Sequence, residues 1–154
     1  MTPVERVEKV LSMNPVQPEK STDNLIEEIK RHEGYRRYAY RDSEGVLTIG
    51  YGLNLDDGIS EPLAGKIVEW IVDERRETLS RMLPFWNEMT ERRREVFLNM
   101  VFNLGVSRFM KFKKMLVAAD LGDVDGVCRE MKDSRWHGQV GRRADELIEK
   151  YRIG

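Results

Sequence analysis

Residues 33–54 read EGYRRYAYRDSEGVLTIGYGLN. The stretch opens on an acid, Glu33, at the end of an apolar-periodic segment, and Gly34 follows at once. A second acid, Asp42, lies nine residues on, and Thr48 six beyond that. The residues between alternate as a small hairpin does. Arg37 to Arg41 runs out, Asp42-Ser43-Glu44-Gly45 turns, and Val46 to Gly52 runs back. An acid at a helix end facing a second acid on a hairpin can flank a bound sugar from two sides. Glycoside hydrolysis needs such a pair: one carboxyl protonates the leaving oxygen, and the other activates water or attacks the anomeric carbon.

Working back from Glu33, a helix capped by Thr22 or Asp23 is predicted to run to about His32, with Leu25, Ile26 and Ile29 as its buried face. Gly34 ends it, because glycine tolerates the left-handed conformation common just after a helix. An acid at a helix C-terminus meets the negative end of the macrodipole, which favours its protonated form. Partial burial would push the same way, and a protonated carboxyl near neutral pH is what a general acid needs. A solvated helix-end glutamate is the plain alternative. The downstream pattern argues against it.

Further upstream, Val4, Val7, Val10 and Leu11 fall on one face of a short amphipathic helix over residues 3–13. It could pack on the main domain or dock a partner, and Gln17-Pro18-Glu19-Lys20-Ser21 reads as a linker. Downstream, Leu53 to Gly58 reads as a turn with no partner strand. Its Asp56-Asp57-Gly58 lacks the spaced oxygen ligands of a calcium loop. Ser60 caps a long helix from Glu61 to about Met82, with Pro62 tolerated in its first turn. Its apolar positions are Leu63, Ile67, Trp70, Ile71, Leu79 and Met82, and Asp73 to Glu77 exposes part of its length.

Leu83-Pro84-Phe85-Trp86 breaks that helix, and Thr90 caps an apolar one that Gly105 ends. Arg92-Arg93-Arg94 reads as a solvated face rather than a nucleic-acid site, since acids flank it and no stacking aromatics accompany it. Helices are predicted over Ser107 to Ala119 and Val124 to Met131. A helical turn at Ser134 to Trp136, a glycine-rich break from His137 to Gly141 and a closing helix complete the chain.

At 154 residues the chain suits one compact unit, possibly two lobes. Hydrophobic residues at 40% and charged ones at 34% fit a helix-rich globule, and a net charge of −1 implies no nucleic-acid partner. The single cysteine, Cys128, excludes an internal disulfide and reads as a small core residue. No stretch approaches the roughly 20 apolar residues of a membrane span. The N-terminus also lacks the apolar run of a signal peptide. His32 and His137 are too few and too separated for a metal site, and His32 reads as a surface residue.

Glu33-Gly34, Tyr40-Arg41-Asp42 with Glu44-Gly45, and Leu47-Thr48-Ile49-Gly50-Tyr51-Gly52 together resemble the signature of the phage T4-type lysozymes, glycoside hydrolase family 24. The likeness continues in Asn99-Met100-Val101-Phe102-Asn103-Leu104-Gly105. It continues again in Ser134-Arg135-Trp136 with Gln139 and Arg142-Arg143-Ala144. It covers about residues 22–154 and leaves only the N-terminal helix outside. The resemblance implies a predominantly helical α+β, lysozyme-like fold. A small β-hairpin lobe and a larger α-helical lobe would be joined by the long helix, with a cleft between. Residues 1–20 would then be helix and linker, and residues 21–154 the catalytic domain.

By the same resemblance Glu33 is the general acid, Asp42 the second carboxylate, and Thr48 a holder of the attacking water. The expected reaction is hydrolysis of the β-1,4 bond between N-acetylmuramic acid and N-acetylglucosamine in peptidoglycan, with inversion. Carboxyls roughly 6.5–9.5 Å apart would leave room for that water, against about 5 Å for a retaining nucleophile. Asn54, Phe102, Asn103, Gln139 and Arg143 match substrate-contacting positions. Phe102 could instead pack in a core, and Arg143 could serve a structural ion pair, for instance with Glu33. Trp136 reads as core rather than a sugar platform.

The chain departs from many relatives in carrying Leu53 where they have a histidine, in a short Asn54–Ser60 segment, and in its near-neutral charge. The expectation is a monomeric endolysin of a phage or prophage, acting on peptidoglycan glycan strands without metal or cofactor. It would be made in the bacterial host cytoplasm and act on the wall after release. A lysozyme-like binding or scaffold module is the alternative, disfavoured by the intact Glu33, Asp42 and Thr48. A lytic transglycosylase is a third reading, and Asp42 and Thr48 disfavour it too.

Overall fold

The computed structural model describes residues 23–154, together with Thr2, Val4 and Glu5. Apart from Val4 and Glu5, the predicted N-terminal helix, the linker and the cap at Thr22 lie outside the described residues. The chain divides into two compact units, Met1–Ile59 and Ser60–Gly154. The fold is α+β and predominantly helical, as expected.

In the first unit, helix α1 (Asp23–Glu33) leads into strands β1 (Arg36–Arg41), β2 (Leu47–Gly50) and β3 (Leu53–Asn54). The sheet is antiparallel in the order β1-β2-β3. β3 corrects the reading of Leu53 to Gly58 as a turn without a strand: Thr48 pairs with Asn54, and Ile49 with Leu53. Two residues are too short for a period-2 signal, so only the pairing shows the strand. The Asp42–Gly45 turn forms as predicted, with Gly45 at φ 82° and its N–H donating to the Asp42 carbonyl at 3.0 Å.

Leu25, Ile26 and Ile29, expected to be buried, are exposed at 53%, 44% and 46%. Thr48 is the one buried residue among those described here. One helix and three short strands do not offer enough surface to close a core of their own.

The second unit opens on α2 (Glu61–Met82), its bounds and its Ser60 cap as predicted. Its buried contact differs. Only Leu79 is buried, whereas Leu63, Ile67 and Trp70 are exposed. A 3-10 turn (Trp86–Glu88) follows, then α3 (Glu91–Leu104), capped by Thr90 and ended by Gly105 at φ 76°. α3 is the axis of the core: Val96, Phe97, Met100 and Val101 are fully buried. Phe97 meets Phe109 edge-on at 5.2 Å and stacks on Tyr151 at 5.5 Å.

Two of the three arginines read as a solvated face are instead structural. Arg93 Nε donates to the Tyr151 carbonyl at 3.1 Å and its guanidinium stacks on that ring. Arg94 Nε donates to the Trp86 carbonyl at 2.9 Å and its Nη2 to the Asn87 carbonyl at 3.1 Å. Five donors in a rigid fork let arginine close backbone carbonyls left open by a turn. Arg92 is exposed.

The predicted helix from Ser107 to Ala119 is two: α4 (Val106–Phe109) and α5 (Lys113–Asp120). Tight bonds from Lys111 N to Arg108 O and from Phe112 N to Phe109 O turn the chain between them. No glycine or proline announces that turn. α6 (Val124–Lys132) is capped by Asp123, whose Oδ1 accepts from Gly126 N at 2.8 Å. Ser134 caps α7 (Arg135–Val140), and α8 (Arg142–Ile153) closes the chain. The expected break from His137 to Gly141 narrows to Gly141 alone, at φ 53°, because Gly138 stays helical. Cys128 is buried as expected, its thiol toward the Ile148 carbonyl, and burial pushes its pKa up.

Candidate active site

Glu33 is the last residue of α1, and Gly34 follows at φ 68° with its N–H on the Lys30 carbonyl at 3.0 Å. That bond closes an open carbonyl of the last turn and stops the helix with the acid at its end. Glu33 is exposed. Its carboxylate lies against the backbone of Gly52, just past β2: a Cβ on Gly52 would stand 2.6 Å from Glu33 Oε2. The close approach seats the acid on the same sheet that carries Thr48 and Asp42.

Asp42 follows β1 at the hairpin turn and is exposed. Its Oδ1 accepts from Glu44 N at 2.8 Å and Val46 N at 2.9 Å. These bonds hold the side chain in one orientation and leave Oδ2 without a partner among the described residues. Thr48, on the central strand, is 5% exposed, and its hydroxyl donates to the Val46 carbonyl at 3.1 Å. That donation leaves the oxygen's lone pairs able to accept a bond from water.

Asn54 is held by its own turn. Oδ1 accepts from Asp56 N at 2.9 Å and Nδ2 donates to Asp57 Oδ2 at 2.7 Å. Asp56 Oδ2 accepts in turn from Leu47 N at 3.0 Å, tying the turn to β2. The two acids thus hold the sheet edge. Among the described residues, no group of three histidines, cysteines or acids could hold a metal ion.

The remaining sequence-predicted site residues lie in the second unit. Phe102 is 42% exposed, so it is not the core residue of the alternative reading. Asn103 Oδ1 accepts from the indole N–H of Trp136 at 2.9 Å, and Trp136 is buried, as its core reading expected. Gln139 is exposed on α7, the helix that carries Trp136. Arg143 meets an amide rather than a carboxylate: its Nε and Nη2 donate to Asn99 Oδ1 at 3.0 and 2.7 Å. His32 is exposed, and His137 Nε2 is 2.7 Å from Asp145 Oδ1.

Gly52 as the seat of Glu33 and Asn99 as the anchor of Arg143 were not read from sequence. A glycine flanked by Tyr51 and Leu53 on a returning strand was the available signal for the first. The second pairing spans 44 residues and had none.

The phage lysozyme family model matches residues 30–152. The chain belongs to the phage lysozyme family.

Its relatives carry lysozyme, endolysin and spike-protein names. It is 26% identical to a probable T4-type lysozyme 2 of Dictyostelium discoideum, over 85% of this chain and 95% of that one. It is 29% identical to an endolysin of Acyrthosiphon pisum secondary endosymbiont phage 1, over 66% and 70%. It is also 26% identical to the pre-baseplate central spike protein Gp5 of Enterobacteria phage T4, over 80% of this chain and 27% of the spike protein. As a phage lysozyme the chain is a glycoside hydrolase of the muramidase type, with peptidoglycan as substrate. No helix among the described residues is long and apolar enough to cross a membrane.

Proposed function

We propose that this phage lysozyme hydrolyses the β-1,4 bond between N-acetylmuramic acid and N-acetylglucosamine, with Glu33 as general acid. The single observation that carries the assignment is the Glu33 carboxylate resting on Gly52. It places an acid at a fixed point beside the sheet that bears Asp42 and Thr48. Glu33 gives its proton to the glycosidic oxygen as the bond to the anomeric carbon breaks. Asp42, with Oδ1 engaged by two backbone N–H groups and Oδ2 open, takes a proton from water. The Thr48 hydroxyl accepts a bond from the same water and aims it. Water attacking opposite the departing oxygen inverts the anomeric centre.

Asn54, Phe102, Asn103, Gln139 and Arg143 are assigned to the glycan. The exposed ring of Phe102 offers a face to a sugar, and the amides suit acetamido groups. The chain acts as an endolysin of a phage or prophage on the host wall.

The test is release of muropeptides from purified peptidoglycan by the wild type and by Glu33→Gln, with products identified by mass and anomeric form. Reducing-end saccharides of inverted configuration from the wild type, and a loss of about a hundredfold or more in the variant, are expected. Anhydro-muropeptides would establish a lytic transglycosylase instead. Binding without release by the wild type would leave a carbohydrate-binding module.

A further inference from the structure

Thr48 and Asn54 stand directly opposite each other across β2 and β3. Side chains so paired leave the sheet on the same face, with Cβ atoms about 4.5–5.5 Å apart. The amide assigned to the glycan therefore stands beside the hydroxyl assigned to the attacking water. Asn54 is half-buried, and both ends of its amide are engaged by the turn that follows.

The two aspartates of that turn do different things. Asp56 serves the backbone: its Oδ2 accepts from Leu47 N, and its own N–H donates to Asn54 Oδ1. Two further bonds, from Leu55 N to the Leu47 carbonyl at 2.7 Å and from Gly58 N to the Leu55 carbonyl at 3.0 Å, complete the turn without either carboxylate. Asp57 is exposed. Among the described residues its carboxylate meets no cation and no backbone N–H. It accepts one bond, from Asn54 Nδ2 at 2.7 Å. A carboxylate that closes no backbone group is not needed to build the turn. Its hold on the sheet edge runs through one side chain.

That hold has a chemical consequence. The oxygen and nitrogen of an asparagine amide are nearly equal in size, so hydrogen-bond partners decide which way each points. Here a donor, the Asp56 N–H, fixes the oxygen, and a charged acceptor, Asp57 Oδ2, fixes the nitrogen. A bond to a charged acceptor is the stronger kind. One N–H and one lone pair of the amide are left over, and an acetamido group offers the matching acceptor and donor. We propose that Asp57 is a positioning residue: it sets the Asn54 amide for the N-acetyl group of the bound sugar and does not touch the substrate itself. This rests on the muramidase reading above and on the place of Asn54 in it.

The test measures initial rates on soluble peptidoglycan strands for the wild type, Asp57→Ala, Asp57→Asn, Asn54→Ala and the double variant Asn54→Ala/Asp57→Ala. Asp57→Ala is expected to raise KM about threefold to tenfold with kcat within about twofold, the pattern of a weakened grip shared by ground and transition states. Loss of a negative charge would by itself favour an anionic wall fragment, so this rise has the opposite sign from a bulk charge effect. Asp57→Asn should return KM most of the way to the wild-type value, because its amide oxygen accepts the same bond. In the Asn54→Ala background, Asp57→Ala should add nothing, since both losses run through one contact. Asp57→Ala should melt within about 2 °C of the wild type, which separates positioning from a loosened turn. An unaltered KM or a marked fall in melting temperature in Asp57→Ala, no recovery in Asp57→Asn, or losses that multiply in the double variant would each overturn the proposal and leave the muramidase reading standing. A wild type that releases no saccharide would overturn the muramidase reading, and this proposal with it.

Discussion

Glu33 and Gly52 are in direct contact: the carboxylate of the acid occupies the space where a side chain on Gly52 would begin. Gly52 also sits at φ 77°, a conformation that costs other residues about 1–2 kcal/mol. Gly52→Ala should therefore act twice. It should lower stability by about that amount and push the Glu33 carboxylate off its seat. Because small misplacement of a reacting group is costly, kcat should fall by about tenfold or more. Activity measured well below the melting transition, beside a denaturation curve, separates the two effects. A variant with unaltered kcat would show that this contact does not position the acid.

Asp42 has two duties that substitutions can part. Asn at this position keeps an oxygen for the N–H groups of Glu44 and Val46, so Asp42→Asn should fold with its turn intact. It cannot take a proton from water, and activity should fall by about a hundredfold or more. Asp42→Ala removes the turn bonds as well and should cost about 1 kcal/mol or more in stability. Equal activity in wild type and Asp42→Asn would remove Asp42 from the mechanism.

The bond from the Trp136 indole to Asn103 links α7 to the end of α3. Trp136 is buried, so Asn103→Leu leaves its N–H without a partner, at a cost of about 1–3 kcal/mol. Chemical denaturation followed by tryptophan fluorescence measures this. A destabilisation below about half a kcal/mol would mean that the indole finds water instead.

Burial pushes the Tyr151 phenol up to about 12, with the Arg93 guanidinium opposing it. The unfolded phenol titrates near 10. Between those values the unfolded chain loses this proton and the folded one keeps it, so stability falls as pH rises from about 10 to 12. Tyr151→Phe should remove that part of the alkaline decline, worth about 2–3 kcal/mol, and leave stability below pH 9 less affected. Parallel alkaline decline in both proteins would show that Tyr151 does not carry it.

Much of the second unit was legible residue by residue. Ser60, Thr90 and Gly105 set the ends of α2 and α3 where a cap and a stop were predicted. The acid-turn-strand pattern of residues 33–52 placed Glu33 at a helix end and Asp42 at a turn. The failures have a common form. α1 shows helical periodicity, yet its apolar face stays open, because periodicity says which side is apolar and not whether anything covers it. Arg93 and Arg94 looked like a solvated run because the carbonyls they close belong to a distant helix end and a preceding turn.

Sequence alone determined the ends of α2 and α3, the hairpin turn and the order of the chemistry-bearing residues, since caps, glycines and periodicity act over a few neighbouring residues. Only tertiary structure decided which groups those residues meet. It put Glu33 on Gly52, Trp136 on Asn103 and Arg143 on Asn99. These partners lie far apart in the chain, and their approach depends on how whole elements pack, which no short stretch of residues encodes.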